Sequence, residues 1–320
     1  MKKINKIYNS SLFLLPFALF IGLGITKIIR TSGTDAWISV ILGTIIGLGI
    51  NLFITKLPSK ESKITTLIYN FSLLLIGILS IIKLISSVYL DKTNTLFLMI
   101  PLILLLYYTS SKDEYTLFKT TSILSFLYFF LIIFAIGSLI SSIEIDTFKP
   151  IMINPINKIL YGAIEYALYS TAPLLVIPNL KEKYNYKAYL LSSLFLLILF
   201  VLVISSLGIE LSQNYRYPEY MLFKNIAVLD FIENIENILF FIWIINIYTL
   251  TSHASLNIKK IINKKGLILI FIIITLIINN YIINSYSNIE FILNNFDYIL
   301  VILFIIFIIG KLLFKKNHNK

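Results

Sequence analysis

The sequence predicts an all-α membrane protein of about ten transmembrane helices. Of its 320 residues, 58% are hydrophobic and only 13% are charged, and the mean hydropathy is +0.88. Soluble domains carry about 25% charged residues, so this chain has too little polar surface to fold in water alone. Its apolar residues also form continuous runs, whereas the strands of an outer-membrane barrel alternate apolar and polar positions.

Ten of these runs approach the roughly 20 residues that a helix needs to cross a bilayer. The predicted spans are residues 9–29, 36–56, 64–90, 94–110, 115–142, 157–179, 187–209, 234–257, 266–285 and 296–314. The fourth span is short and contains Pro101, and the third and fifth are long enough to tilt in the bilayer. We therefore expect a single polytopic membrane domain over residues 1–320.

The basic residues predict the orientation of these spans. Nineteen of the 27 lysines and arginines fall on one side, in the two terminal segments and the even-numbered connections. Cytoplasmic segments of membrane proteins are enriched in Lys and Arg, so both termini should be cytoplasmic. The formal net charge of +11 is then an orientation signal that predicts contact with anionic lipids, and we expect no nucleic-acid partner.

The sequence offers little for catalysis. It contains no cysteine, and its two histidines, His253 and His318, do not belong to an H-E-x-x-H or comparable ligand set. No acid, base and nucleophile form a recognisable constellation within the spans. We therefore expect no metal site, no cofactor and no enzymatic activity.

Helix-breaking residues in the first and sixth spans predict two interruptions near the middle of the bilayer. The first span contains Gly22 and Gly24 after Pro16, and the sixth contains Pro173 after Gly162. Proline removes a backbone donor, and glycine leaves helical geometry at little cost. The alternative is that these residues merely permit close packing or a kink, which is common in membrane helices.

The two interruptions occupy corresponding positions in the halves of the chain. They predict a five-plus-five inverted repeat, with a first repeat over about residues 9–142 and a second over about 157–314. In this LeuT-like architecture, broken helices 1 and 6 bind solute through freed main-chain groups. A zwitterion would place its carboxylate on amides of the first break and its ammonium at the second. The predicted ligand-binding residues are Gly22, Leu23, Gly24, Tyr169, Ser170, Thr171 and Pro173.

Two ionisable residues lie inside the predicted spans. Lys83 and Glu165 both lie roughly 10–12 Å inside the outer face, counting along their helices. Such residues cost several kcal/mol and usually have a partner or a task. They form either a buried ion pair or a site in which Lys83 replaces a coupling cation. The alternative is that Lys83 reaches the interface while Glu165 faces water.

Gly43 and Gly47 form a small-xxx-small motif in the second span. Small residues at this spacing let two helices approach closely, so we expect helix packing there.

The connection over residues 210–233 has apolar residues at helical spacing and tyrosines among charged residues. This pattern predicts an amphipathic helix on the outer face, and the alternative is an ordinary loop with interfacial tyrosines. Glu233 and Glu236 share one helix face at the start of the eighth span. They either stabilise that helix N-terminus or bind a cation or amine.

Four short motifs give the sequence a family likeness. They are DAWISV at residues 35–40, PNLK at 178–181, YPE at 217–219 and IENILFFIWI at 235–244. These motifs and the ten-span plan resemble the endospore germination permeases, the B subunits of spore germinant receptors. The resemblance extends over nearly the whole chain.

The resemblance implies a fold similar to that of the amino acid/polyamine/organocation transporters. It also implies a permease-like receptor subunit in the spore inner membrane that binds a small germinant, often an amino acid. Its protein partners would be a larger membrane subunit and a lipoprotein. Two alternatives stay open, a secondary active transporter of amino acids or amines and an ion-conducting pore subunit.

Overall fold

The protein is helical throughout the part of the chain that the structure describes. The computed structural model describes all residues except 1, 58–61, 91, 140–142, 179, 225–235, 263–264, 284, 286–290, 293–294 and 319–320. Within these ranges every regular element is an α-helix or a short 3-10 or π-helical turn. The predicted all-α class is therefore confirmed.

The first half of the chain forms six α-helices with short turns of other helical geometry between some of them. In order, these are α1 (Lys2–Leu14), a 3-10 turn (Leu15–Leu19), a π turn (Phe20–Gly24), α2 (Ile25–Ser32), a 3-10 turn (Gly33–Asp35), α3 (Ala36–Lys56), α4 (Lys63–Leu84), a π turn (Ile85–Tyr89), α5 (Thr95–Ser111) and α6 (Glu114–Leu139).

The second half repeats this pattern of long helices and short turns. In order, these are a 3-10 turn (Ile145–Phe148), α7 (Ile156–Thr171), a 3-10 turn (Ala172–Val176), α8 (Leu180–Lys183), α9 (Tyr186–Asn214), α10 (Pro218–Lys224), α11 (Glu236–Ile262), α12 (Lys265–Ile283) and α13 (Phe296–His318).

Several helical stretches have the length and composition of membrane spans. Within the described ranges there are five, namely Tyr8–Lys56, Lys63–Tyr89, Glu114–Leu139, Ile156–Val176 and Tyr186–Asn214. The first is 49 residues long and holds two predicted spans joined by the turn at Gly33–Asp35. These stretches fit an all-α membrane protein, and the count of ten spans stays a prediction.

The exposed surface of α6 is apolar, as expected for a helix in contact with lipid. Ile123, Phe126 and Phe130 are each at least half exposed on this helix, as a lipid-facing helix requires. The opposite face of α6 packs on α1 and α11.

Helices α3 and α7 form the most extensive helix–helix contact in the described chain. A Cβ atom on Gly43 would lie 2.6 Å from the Ala163 carbonyl oxygen, and one on Gly47 would lie 2.0 Å from the Tyr189 hydroxyl. Both distances are far below van der Waals contact, so only glycine allows α3 to approach α7 and α9 this closely. The packing role predicted for the two glycines is confirmed.

Helix α9 extends to Asn214, but it is interrupted at Gly208, whose backbone is not helical (φ +72°). This interruption lies one residue before the predicted end of the seventh span at residue 209. Beyond it, α10 covers only part of the amphipathic helix predicted over residues 210–233. Residues 225–235, including Glu233, lie outside the described residues, as does the side chain of Glu236.

Candidate solute site between two interrupted helices

The first predicted span leaves α-helical geometry over ten residues. Pro16 lies at the start of the 3-10 turn that follows α1, where its missing N–H removes a donor that a continuing α-helix would use. The π turn comes next and contains Gly22 with φ +87°, a conformation that residues with a side chain rarely adopt. The chain then resumes as α2, so the interruption lies at the position predicted from its proline and glycines.

Gly22 lies directly against the ring of Trp243 on α11. A Cβ atom at Gly22 would lie 1.8 Å from Cζ2 of Trp243 and 2.4 Å from its Cη2. The glycine is therefore needed twice, once for its backbone conformation and once for the approach of the indole ring.

The main-chain amide of Gly22 is not free. It donates a 2.7 Å hydrogen bond to Oε1 of Glu219, which lies on α10 and is fully buried. The expectation that this amide awaits a solute carboxylate was therefore incomplete, because a carboxylate of the protein already occupies it. The YPE motif contained this residue but gave no sign that it reaches the first interruption.

The second interruption follows α7. Pro173 lies at the start of a 3-10 turn, and Ile177 beyond it is extended. This change of geometry frees carbonyl groups that an α-helix would use, and buried carbonyls need donors. Tyr69 Oη donates to the Ala172 carbonyl at 2.7 Å, and Asn257 Nδ2 donates to the Val176 carbonyl at 2.5 Å.

The hydroxyl groups at the end of α7 are buried and bonded within the protein. Ser170 Oγ donates to the Ala167 carbonyl at 3.1 Å and lies 2.8 Å from Tyr189 Oη. Thr171 Oγ1 donates to the same carbonyl at 2.7 Å. Both hydroxyl groups therefore already have hydrogen-bond partners within the protein in this conformation.

Tyr169 lies in the last turn of α7, just before the second interruption, and packs against the first interruption. A Cβ atom on Gly24 would lie 3.1 Å from Cδ1 of Tyr169, and the Tyr169 and Phe20 rings lie 5.9 Å apart. Leu23 is partly buried and packs against the same core. The predicted residues of the first break and Tyr169 thus lie together.

An acidic residue that the sequence reasoning missed completes this region. Asp297, in the first turn of α13, accepts a 2.7 Å hydrogen bond from Tyr169 Oη through Oδ1 and pairs with Lys27 Nζ at 2.9 Å through Oδ2. The signal was its position, since Asp297 is an ionisable residue at the edge of the tenth predicted span.

No ion pair joins Lys83 and Glu165 in the described chain. The Glu165 carboxyl instead interacts with Asp297, Thr31 and Lys27, whereas the charged neighbour of Lys83 is Arg216. Of the alternatives that the sequence left open, the ion pair is not seen among the described residues, because equal depth in the membrane does not bring residues of two different helices side by side.

Helix α11 carries a buried polar stripe that contacts α1 and the second interruption. Asn246 is fully buried, His253 Nε2 lies 3.1 Å from Ser11 Oγ on α1, and Asn257 binds the second interruption as described above. His253 lies within α11, which continues to Ile262. The described residues contain no group of three His, Asp or Glu side chains placed to hold a metal ion.

The chain is similar to proteins of bacterial spore germination. A family model described as spore germination protein (spore permease) matches residues 64–287. A protein of Bacillus subtilis strain 168, named putative spore germination protein YfkT, is 25% identical over 264 residues, which cover 74% of this chain and 73% of the relative. The chain therefore belongs to the spore germination protein family and is a multi-pass membrane protein with a germination-related, permease-like role.

Proposed function

We propose that this chain binds a small solute, an amino acid, between its two interrupted helices and acts as the permease-like subunit of a germinant receptor. The contact between Gly24 and Tyr169 carries the proposal, because it places the first interruption against the last turn of α7, directly before the second interruption. Main-chain groups there can bind a charged solute without a dedicated charged side chain.

The arrangement also supports the proposed five-plus-five repeat. The interruptions begin at Leu15 and Ala172, each in the first long helix of its half. Phe20, Tyr169 and Trp243 supply the apolar and aromatic surface that encloses most small-molecule ligands.

The proposed partners follow from the family. Within a germinant receptor, this chain would work beside a larger membrane subunit and a lipoprotein in the spore inner membrane. Anionic lipids would contact the lysine-rich side, where the N- and C-termini are proposed to lie in the cytoplasm.

A thermal-stability screen of the purified protein against amino acids tests the binding proposal. Gly24→Ala is the probe variant, because its Cβ would lie 3.1 Å from both Tyr169 and Phe20. Gly137→Ala on α6 is the matched control, since a Cβ there meets nothing within 4 Å. We expect an amino acid to stabilise the wild type and the control but not Gly24→Ala. Equal stabilisation of all three proteins by the amino acid would show that it does not bind at this site.

A secondary active transporter would use the same interruptions. Reconstitution in liposomes separates the two functions, because a transporter accumulates the solute when a H⁺ or Na⁺ gradient is imposed and a receptor binds it without accumulation. The buried polar stripe of α11 is the feature that favours an ion-conducting pore, and conductance of the same liposomes tests it.

A further inference from the structure

The carboxyl group of Glu219 lies in an unusual environment for an acidic side chain. It is 0% exposed, Oε1 accepts the Gly22 amide, and Oε2 is buried with no hydrogen-bond partner in the described chain. No described ion pair involves Glu219. A buried carboxylate without a cation costs free energy, so this position needs an explanation other than stability.

Trp243 packs beside the hydrogen bond between Gly22 and Glu219. Its ring packs against Gly22 and lies 5.5 Å from the ring of Tyr217, and its Nε1 is also buried without a partner. An acceptor at Oε2 and a donor at Nε1 are therefore both unsatisfied at the first interruption. Such groups are the ones a polar ligand would satisfy.

The residues before Glu219 are hydrogen-bonded to α2. Thr26 Oγ1 donates to the Arg216 carbonyl at 3.1 Å, and Arg30 Nε donates to the Gln213 carbonyl at 2.6 Å. These contacts hold residues 213–216 against α2 and so position Glu219 next to Gly22.

A carboxylate on a main-chain amide of a broken helix is the interaction that a solute carboxylate would make there. One N–H group binds one strong acceptor well, so Glu219 and the solute must compete for it. We propose that Glu219 is a tethered occupant of the solute site, and that solutes with a free carboxylate bind by displacing it. This inference rests on the proposed function and adds to it a requirement for a free carboxylate on the solute and a means of signalling.

Displacement of Glu219 from the Gly22 amide would move α10. When the solute carboxylate accepts the Gly22 amide, α10 loses the hydrogen bond between Glu219 and Gly22. Residues of α10 such as Leu222, which is now 1% exposed, would then become accessible. The solute would thus convert its own binding into a change at the outer surface, where another subunit can detect it.

The sign of one mutational effect tests the competition. Glu219→Gln keeps the shape but offers Gly22 only a neutral acceptor, so we expect amino acids to bind about tenfold more tightly at about pH 9, where the wild-type carboxyl group has lost its proton. Glu210→Gln is the matched control, because Glu210 is an exposed acid near the end of α9. The probes are glycine, alanine and valine, with glycinamide and alaninamide as analogues that lack the carboxylate. Equal or weaker amino-acid binding by Glu219→Gln would overturn the inference, since Glu219 would then not compete.

Labelling of a single introduced cysteine tests the movement. The chain has no cysteine of its own, so Leu222→Cys places one reporter thiol on α10. We expect alanine to speed its modification by a polar maleimide while alaninamide does not, and we expect Glu219→Gln to label rapidly without solute. Labelling that is the same with and without Glu219 overturns the inference but leaves the proposed function standing if amino acids bind. If no amino acid binds any variant, both fail.

Discussion

The hydroxyl group of Tyr169 donates a 2.7 Å hydrogen bond to Oδ1 of Asp297, and the other carboxylate oxygen of Asp297 pairs with Lys27 at 2.9 Å. One carboxylate thereby links α7, α13 and α2, three helices that meet beside the candidate site. The side chain of Asp297 is 18% exposed, so water only partly screens the group.

Removing the Tyr169 hydroxyl should weaken this link. We expect Tyr169→Phe to lower the free energy of unfolding by about 1–2 kcal/mol, because Asp297 loses a donor in a partly buried place. Thermal unfolding in detergent measures the change. Tyr161→Phe is the control, since Tyr161 lies on the same helix and is 64% exposed. Equal effects of the two substitutions would show that the Asp297 bond contributes nothing.

Glu219 should make the stability depend on pH. Burial raises the pKa of Glu219 to about 7, although the main-chain amides of Glu219 itself and Gly22 partly oppose this. A carboxyl group with a raised folded-state pKa holds its proton longer in the folded protein, so its stabilising contribution is lost as pH rises from about 4.5 to 7. The loss should reach about 3 kcal/mol.

Unfolding midpoints measured across this pH range check the expectation. The wild type should lose stability as pH rises, and Glu219→Gln should lose less by about that amount. If both proteins have parallel pH profiles, the carboxyl group does not titrate in this range.

A double substitution tests the contact between α3 and α9. Gly47→Ala should cost about 1–3 kcal/mol, because its Cβ would lie 2.0 Å from Tyr189 Oη. Tyr189→Phe removes that oxygen, so the double variant should be more stable than the sum of the single effects predicts. Gly49→Ala, whose Cβ meets nothing within 4 Å, should be neutral or slightly stabilising. Additive effects would contradict the contact.

Asp35 should be essential for the conformation of the segment that directly precedes α7. Its Oδ1 accepts the Met152 amide at 2.8 Å, and its Oδ2 accepts the main-chain and side-chain N–H groups of Asn154 at 3.0 and 3.1 Å. Asp35→Asn would turn a donor toward these donors, so we expect a loss of about 2–3 kcal/mol in thermal unfolding.

The exposed pair of Asp146 and Lys149 provides the control for this substitution. Asp146 is 90% exposed in its side chain, so Asp146→Asn should change the stability by less than about 1 kcal/mol. A similar small effect of Asp35→Asn would show that the three hydrogen bonds are replaced by water.

Much of the architecture was predictable because its causes are local. Composition fixed the membrane class, Pro16 and Gly22 predicted the first interruption, and Pro173 predicted the second. These residues act on their own backbone, so their effect is readable wherever they occur. Gly43 and Gly47 predicted close packing for the same reason, although not the partner helix.

The sequence by itself determined that the chain is a helical membrane protein and that two of its helices are interrupted. Its motifs also gave the resemblance to germination permeases. Only the tertiary structure decided that Glu219, 197 residues away, occupies the Gly22 amide, and that Asp297 rather than Lys83 lies near Glu165. The physical reason is that helix breaks follow from local backbone chemistry, whereas partners across the bundle depend on how whole helices rotate and pack.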